Sequence, residues 1–243
     1  MLETIIFCVV MALVIYIVAR KVIQYRNDPV RALISIGRTF EKKGNNREAL
    51  KHYQIAEREC KRGKGSKGNY AKAVFLQGRI YKYYQNFDKA MPLLYKAEQL
   101  CRELNDKESL AHACMCIAEA LEDQEKYKEA DEYYTTAVEL WRTLRMKDQF
   151  VYALFRQGRV KANYKKYKEA IELFEKAGRI WKRQFNTENV SQIFIETAEC
   201  KAKMRDKEGA IADYTEAEKL LKKLGAGDGV NEMQKRIKKL QKS

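Results

Sequence analysis

The residues of this chain able to do chemistry are numerous, but few are spaced to act together. Histidine occurs twice, at His52 and His112, and cysteine six times, at Cys8, Cys60, Cys101, Cys114, Cys116 and Cys200. No C-x-x-C pair is present, and Cys114 and Cys116 stand two apart on an expected helix, so they point to different faces. A zinc site is therefore not expected, and no other metal is assigned. The cysteines fall in helical core pattern, which reads as reduced, buried thiols rather than a disulfide framework. Gly225-x-Gly227-x-Gly229 has the glycines of a phosphate loop but follows a helix instead of a strand, so it reads as a helix end and linker. Gly63-Lys64-Gly65-Ser66-Lys67-Gly68 has the composition of a P-loop without its order and reads as a basic loop. Carboxylates are plentiful on helix surfaces, yet none forms a paired acid–base arrangement. No catalytic residue and no cofactor is assigned, and enzymatic activity is not expected.

What must position any functional side chain is a ladder of small residues. A Gly or Ala is followed twelve positions later by Ala and seven later by Ala again, five times: Gly37/Ala49/Ala56, Gly78/Ala90/Ala97, Ala118/Ala130/Ala137, Gly158/Ala170/Ala177 and Ala198/Ala210/Ala217. The middle alanines are 41, 40, 40 and 40 residues apart. A fixed period of this size marks stacked helical repeats. Each repeat reads as two helices, with turns near Gly44-Asn45-Asn46, Gln85-Asn86, Glu125-Lys126, Lys165-Lys166 and Arg205-Asp206, and polar joints between repeats. No stretch alternates apolar and polar as a half-buried strand would. Val230, Met233, Ile237 and Leu240 share one face of a last amphipathic helix, expected to cap the raw end of the stack.

Before the ladder lies MLETIIFCVVMALVIYIVA, residues 1–19, followed by Arg20, Lys21 and Arg26. Its length and flanks predict a transmembrane signal anchor, with a cleavable signal peptide as the alternative. The basic flank predicts a cytosolic body. Residues 20–29 then form a basic juxtamembrane linker, 30–229 the five repeats and 230–243 the capping helix. Asp28 and Pro29 suit the cap and first position of a helix.

The ladder resembles the tetratricopeptide (TPR) repeat, at a period of 40 rather than the usual 34, over about Val30 to Val230. The resemblance implies an all-α solenoid of antiparallel helix pairs, with the small residues where helices cross. Large residues match as well: Tyr53, Leu94, Tyr134, Phe174 and Tyr214 recur in one register, as do Leu33, Val74, Cys114, Leu154 and Phe194. A further large position holds Phe40, Tyr81 and Leu121, then departs to Lys161 and Lys201. Pro92 falls inside a second helix, where a kink is expected.

The resemblance also implies a concave groove lined by the first helices. Its expected lining is an apolar stripe of Ile34, Phe75, Met115, Phe155 and Ile195, flanked by Arg38, Arg79 and Arg159, with Lys72 beside them. Such a groove would bind a protein or peptide partner, an acidic–apolar segment in particular. The alternative is that the stripe is core. The two-carboxylate clamp by which some TPR proteins take chaperone C-termini is not matched. The formal net charge of +15 points to acidic partners, or to a solvated surface with none.

Three functions follow. The first is a membrane-anchored cytosolic adaptor or scaffold, at the mitochondrial outer membrane or endoplasmic reticulum. The second is a membrane-tethering protein resembling the soluble attachment proteins of vesicle fusion, acting on anionic membrane. RNA binding ranks last, because no RNP-type or arginine-rich motif supports it.

Overall fold

Asp28 starts the first helix of the body. Its carboxylate accepts from the backbone N–H of Val30 at 2.9 Å and of Arg31 at 3.2 Å, and Pro29 occupies the first turn, where its missing N–H costs nothing. The computed structural model describes residues 28–242, together with Met11 and Tyr16. Eleven helices follow from Pro29: α1 (Pro29–Lys42), α2 (Asn46–Lys61), α3 (Lys67–Tyr83), α4 (Phe87–Glu103), α5 (Lys107–Asp123), α6 (Tyr127–Thr143), α7 (Lys147–Asn163), α8 (Tyr167–Arg183), α9 (Thr187–Lys203), α10 (Lys207–Lys223) and α11 (Gly227–Lys242). Among the described residues there is no strand.

Several of the short connections do two jobs, closing one helix and capping the next. Between α3 and α4, Gln85 turns left-handed (φ 55), so its N–H reaches Lys82 O at 2.8 Å and the next N–H, of Asn86, reaches Tyr81 O at 2.9 Å. The Asn86 side chain then accepts from Lys89 N at 3.3 Å and opens the next helix. Gly63 and Gly225 hold the same left-handed position elsewhere, each at the end of a helix. Gly65 has a packing role: a Cβ there would lie 2.7 Å from Cys60 Sγ. α4 runs through Pro92 as one helix.

The chain divides into two units, residues 1–104 and 105–243. In the first, α1 to α4 pack in sequence order; in the second, α5 to α11 do. The alanine ladder lies where helices cross. Ala49, Ala56, Ala90, Ala97, Ala130, Ala137, Ala170, Ala177, Ala210 and Ala217 are fully buried. Opposite the small residues lie the large ones: a Cβ at Gly158 would come 2.6 Å from Phe174 Cε1, so larger residues there would push the pair apart. Met233 of α11 is buried, and Ile237 and Leu240 pack with it on Ala198, Tyr214 and Ala217. The last helix covers the end of the stack as expected, starting at Gly227 rather than residue 230.

The membrane placement is corrected. Among the described residues no helix is long and apolar enough to cross a membrane. The longest have 17 residues, about 26 Å at 1.5 Å per residue, and each carries charged side chains. The reading of a single-pass protein at the mitochondrial outer membrane or endoplasmic reticulum is therefore withdrawn. The stretch it rested on, residues 1–19, lies outside the described residues except for Met11 and Tyr16.

Candidate partner-binding site

In the first unit the expected groove residues separate into core and surface. Ile34 is 4% exposed and belongs to the core around Val30, Ala49 and Tyr53. Phe75 is half-buried against that core, with the Arg79 guanidinium 6.0 Å from its ring centroid. Arg79 is also held from behind: its Nη2 lies 2.5 Å from Glu41 Oε1, while the Tyr53 hydroxyl donates to Glu41 Oε2 at 2.9 Å. Burial, and then the hydrogen bond to Glu41, push the Tyr53 phenol well above its ordinary value, so it stays a donor. Arg38 and Lys72 are exposed, and Arg38 makes no ion pair among the described residues. Glu41 is the one carboxylate on α1, against Arg31, Arg38 and Lys42; α3 has none, against Lys67, Lys72, Arg79 and Lys82. The two first helices of this unit are therefore strongly basic.

The first helices of the second unit are balanced. Met115 is 9% exposed and lies in core. Phe155 is half-buried in an aromatic cluster, its ring centroid 5.8 Å from Phe174 and 5.4 Å from Trp181. Ile195 packs, partly buried, on the core under α11. Arg159 Nε stands 3.6 Å from Glu196 Oε1, and burial raises that carboxyl above its ordinary range. Arg156 bonds Glu122 Oε2 at 2.8 Å and the Tyr152 hydroxyl at 2.9 Å; the same Glu122 oxygen accepts from the Tyr134 hydroxyl at 2.8 Å. Arg236 of α11 repeats the theme with Glu199 and, at 3.4 Å, the Tyr214 hydroxyl. Cations and carboxylates here neutralise one another.

Two sets of residues were not singled out from the sequence. One is the tyrosine–glutamate–arginine network just described, in the first, third and fifth repeats. Its signal was present: tyrosine occupies that register in those repeats, and Leu94 and Phe174 replace it between them. The other explains the departure at Lys161 and Lys201. Lys161 Nζ lies 2.8 Å from both Asp131 and Glu169, and Asp131 also accepts from Tyr164 at 2.6 Å and Gln157 at 2.9 Å. Burial opposes the Lys161 charge, but the hydrogen bonds to Asp131 and Glu169 outweigh it and raise the ammonium above its ordinary value. Burial, then the bond to Asp131, pushes Tyr164 up to about 12. Lys201 stands 2.6 Å from Asp213. A partly buried, mostly apolar position has become a partly buried ion pair, which a period of apolar residues cannot signal.

Comparison with known proteins agrees with this geometry. Residues 32–61 and 111–140 match tetratricopeptide repeat profiles, and residues 153–243 match the soluble NSF attachment protein (SNAP) profile. No curated protein sequence matches the chain. Among solved structures, the apo form of RapI is similar over 84% of this chain and 74% of its own, with a TM-score of 0.74 and 16% identity. A putative kinesin light chain with nearly identical TPR-like repeats from Podosopora anserina is similar over 82% of this chain and 97% of its own (TM-score 0.69, 15% identity). A Rap protein complexed with Competence and Sporulation Factor is similar over 86% and 63%, respectively (TM-score 0.59, 18% identity). The fold is an all-α, TPR-like solenoid.

Proposed function

We propose that this TPR-like solenoid is a binding scaffold whose first unit takes an acidic protein segment along the face of α1 and α3. The observation that carries this reading is the charge imbalance there: the two helices hold seven basic residues and one carboxylate, Glu41, with Lys67 paired to Glu103 of α4. In the second unit the equivalent helices α5, α7 and α9 together carry eight carboxylates against seven basic residues, although α7 by itself is basic. Arg38 and Lys72 are the surface cations for the partner, while Arg79 is set by Glu41 and presents its guanidinium beside Phe75. Arginine suits carboxylate recognition because its planar fork can make two parallel bonds. Ile34 and Met115 hold the scaffold from the core; Phe75 and Phe155, half-buried, offer only an edge to a partner. Arg159, tied to Glu196, is a secondary contact.

The test is fluorescence anisotropy with a panel of peptides carrying Glu or Asp around one apolar residue. Arg38→Glu with Lys72→Glu should weaken the tightest binder by about tenfold or more, with unchanged thermal unfolding. Equal affinity in the double variant sinks the reading.

A second reading is favoured by the SNAP-profile match over residues 153–243 and by α11. Lys235, Lys238, Lys239 and Lys242 are exposed there, with no ion pair among the described residues. Such a stripe suits action at an anionic membrane surface. Full-length protein should float with anionic vesicles, and Lys235→Glu with Lys239→Glu should reduce this but leave flotation with neutral vesicles untouched. Flotation indifferent to lipid charge removes it.

A further inference from the structure

Between α8, α9 and α10 lies an open cleft of about 610 Å³. Its floor is apolar: Ile193 and Phe194 of α9, and Leu220 of α10. The cleft has a local cause in the repeat register. The residue before the small one is Gln77 in the second repeat and Gln157 in the fourth, and each crosses to the preceding second helix. Gln77 Nε2 donates to Glu57 at 2.8 Å; Gln157 Nε2 donates to Asp131 at 2.9 Å and to Thr135 at 2.7 Å. In the fifth repeat that residue is Thr197, whose hydroxyl turns back to the Ile193 carbonyl of its own helix. The residue after the last alanine is Val138 in the third repeat but Gly178 in the fourth. A bridge and a side chain are missing at the same level, so the apolar surface beneath stays uncovered.

Phe185 stands at the lip of this cleft, 91% exposed and left-handed at φ 55. Each of the other helix connections places glycine or a polar or charged residue in that conformation. An exposed phenylalanine there combines backbone strain with apolar exposure. The rim carries both signs, with Glu175, Arg179 and Lys182 on α8 and Glu216 on α10, while Asp213 is held inside the cleft by Lys201. A knob beside a hole, framed by charges of both signs, is complementary to itself, which is what a twofold contact between identical surfaces requires. A partner of one charge sign would find as much repulsion as attraction on such a rim.

The geometry points to a second copy of this chain as the occupant: Phe185 of each copy seats on the Ile193–Phe194–Leu220 floor of the other, with Arg179 and Lys182 of α8 facing the exposed Glu216 of α10. This dimer goes beyond the acidic-partner reading and uses other helices, so each can fail alone.

Full-length protein should show a concentration-dependent dimer in sedimentation equilibrium. Phe185→Ser removes the knob and Thr197→Gln fills the hole; each should raise the dimer dissociation constant by about tenfold or more. Because Phe185 is exposed, Phe185→Ser keeps the fold even if Thr197→Gln does not. A photo-crosslinking amino acid at position 185 should capture residues 190–197 or 220 of a second copy. A monomer at every concentration, a dimer unmoved by Phe185→Ser, or crosslinks mapping elsewhere each overturns the proposal.

Discussion

Asp131 shows how one carboxylate can organise a repeat junction. Burial alone would push its pKa up, but hydrogen bonds from Lys161, Tyr164 and Gln157 outweigh this and hold it below its ordinary 3.8. The unfolded chain therefore takes up a proton at a pH where the folded chain does not. The stabilisation is fully present above the ordinary aspartate value and is lost as pH falls through the lower folded value. Asp131→Asn should flatten the pH dependence of the urea midpoint between about pH 2 and 5; a curve that keeps the wild-type slope would mean the network does not hold the proton off. It should also cost about 1–3 kcal/mol at neutral pH, because Lys161 loses a charged partner. Ala130, fully buried, tests packing at the same scale. Ala130→Leu should cost about 1–3 kcal/mol in denaturant unfolding. The alanines could be read directly from their spacing, since close helix crossings tolerate only small residues. Lys161 could not, because whether a lysine is buried depends on which carboxylate another helix brings to it.

At the scale of elements, helices of 17 residues joined by three-residue connections produce the 40-residue period. Caps and left-handed positions are local, so the turns at Gln85-Asn86 and Arg205-Asp206 fall where expected. The capping helix was equally legible from Met233, Ile237 and Leu240. Its start was less so, because the glycines at 225, 227 and 229 read as one joint, whereas only Gly225 adopts the left-handed turn. Ending the chain at Ala226 should expose the apolar cluster of Phe194, Ile195, Tyr214 and Leu221. Hydrogen exchange over α9 and α10 should then accelerate well before that over α5 and α6; uniform exchange across these helices would argue against a capping role. The apolar stripe was the element least legible in advance. Three residues before each small residue is a half-inward position on a helix, and local packing decides between core and surface. Ile34 and Met115 went inward, while Phe75 and Phe155 stopped part way.

For the whole molecule, the formal net charge of +15 is a weaker guide than its distribution. The same helices, in the same register, are basic in the first unit and balanced by their own ion pairs in the second. Binding of an acidic peptide should weaken steeply as salt rises from about 0.05 to 0.5 M, since exposed charges are screened over about 10 Å or less. Its hydrogen-exchange footprint should fall on residues 29–83. A footprint on α7 and α9 instead would place the site at Arg159 and reject the charge argument.

Period, helix pairing, capping helix and the small-residue crossings were determined by the sequence itself, because spacing and local backbone preference are properties of the chain. Which arginines pair with a carboxylate of another helix was decided by tertiary structure alone. Arg38, Arg79 and Arg159 occupy one register and are indistinguishable in one dimension. Only the packed helices bring Glu41 to Arg79 and Glu196 to Arg159 and leave Arg38 exposed, since a salt bridge between repeats depends on side chains some forty residues apart meeting in space.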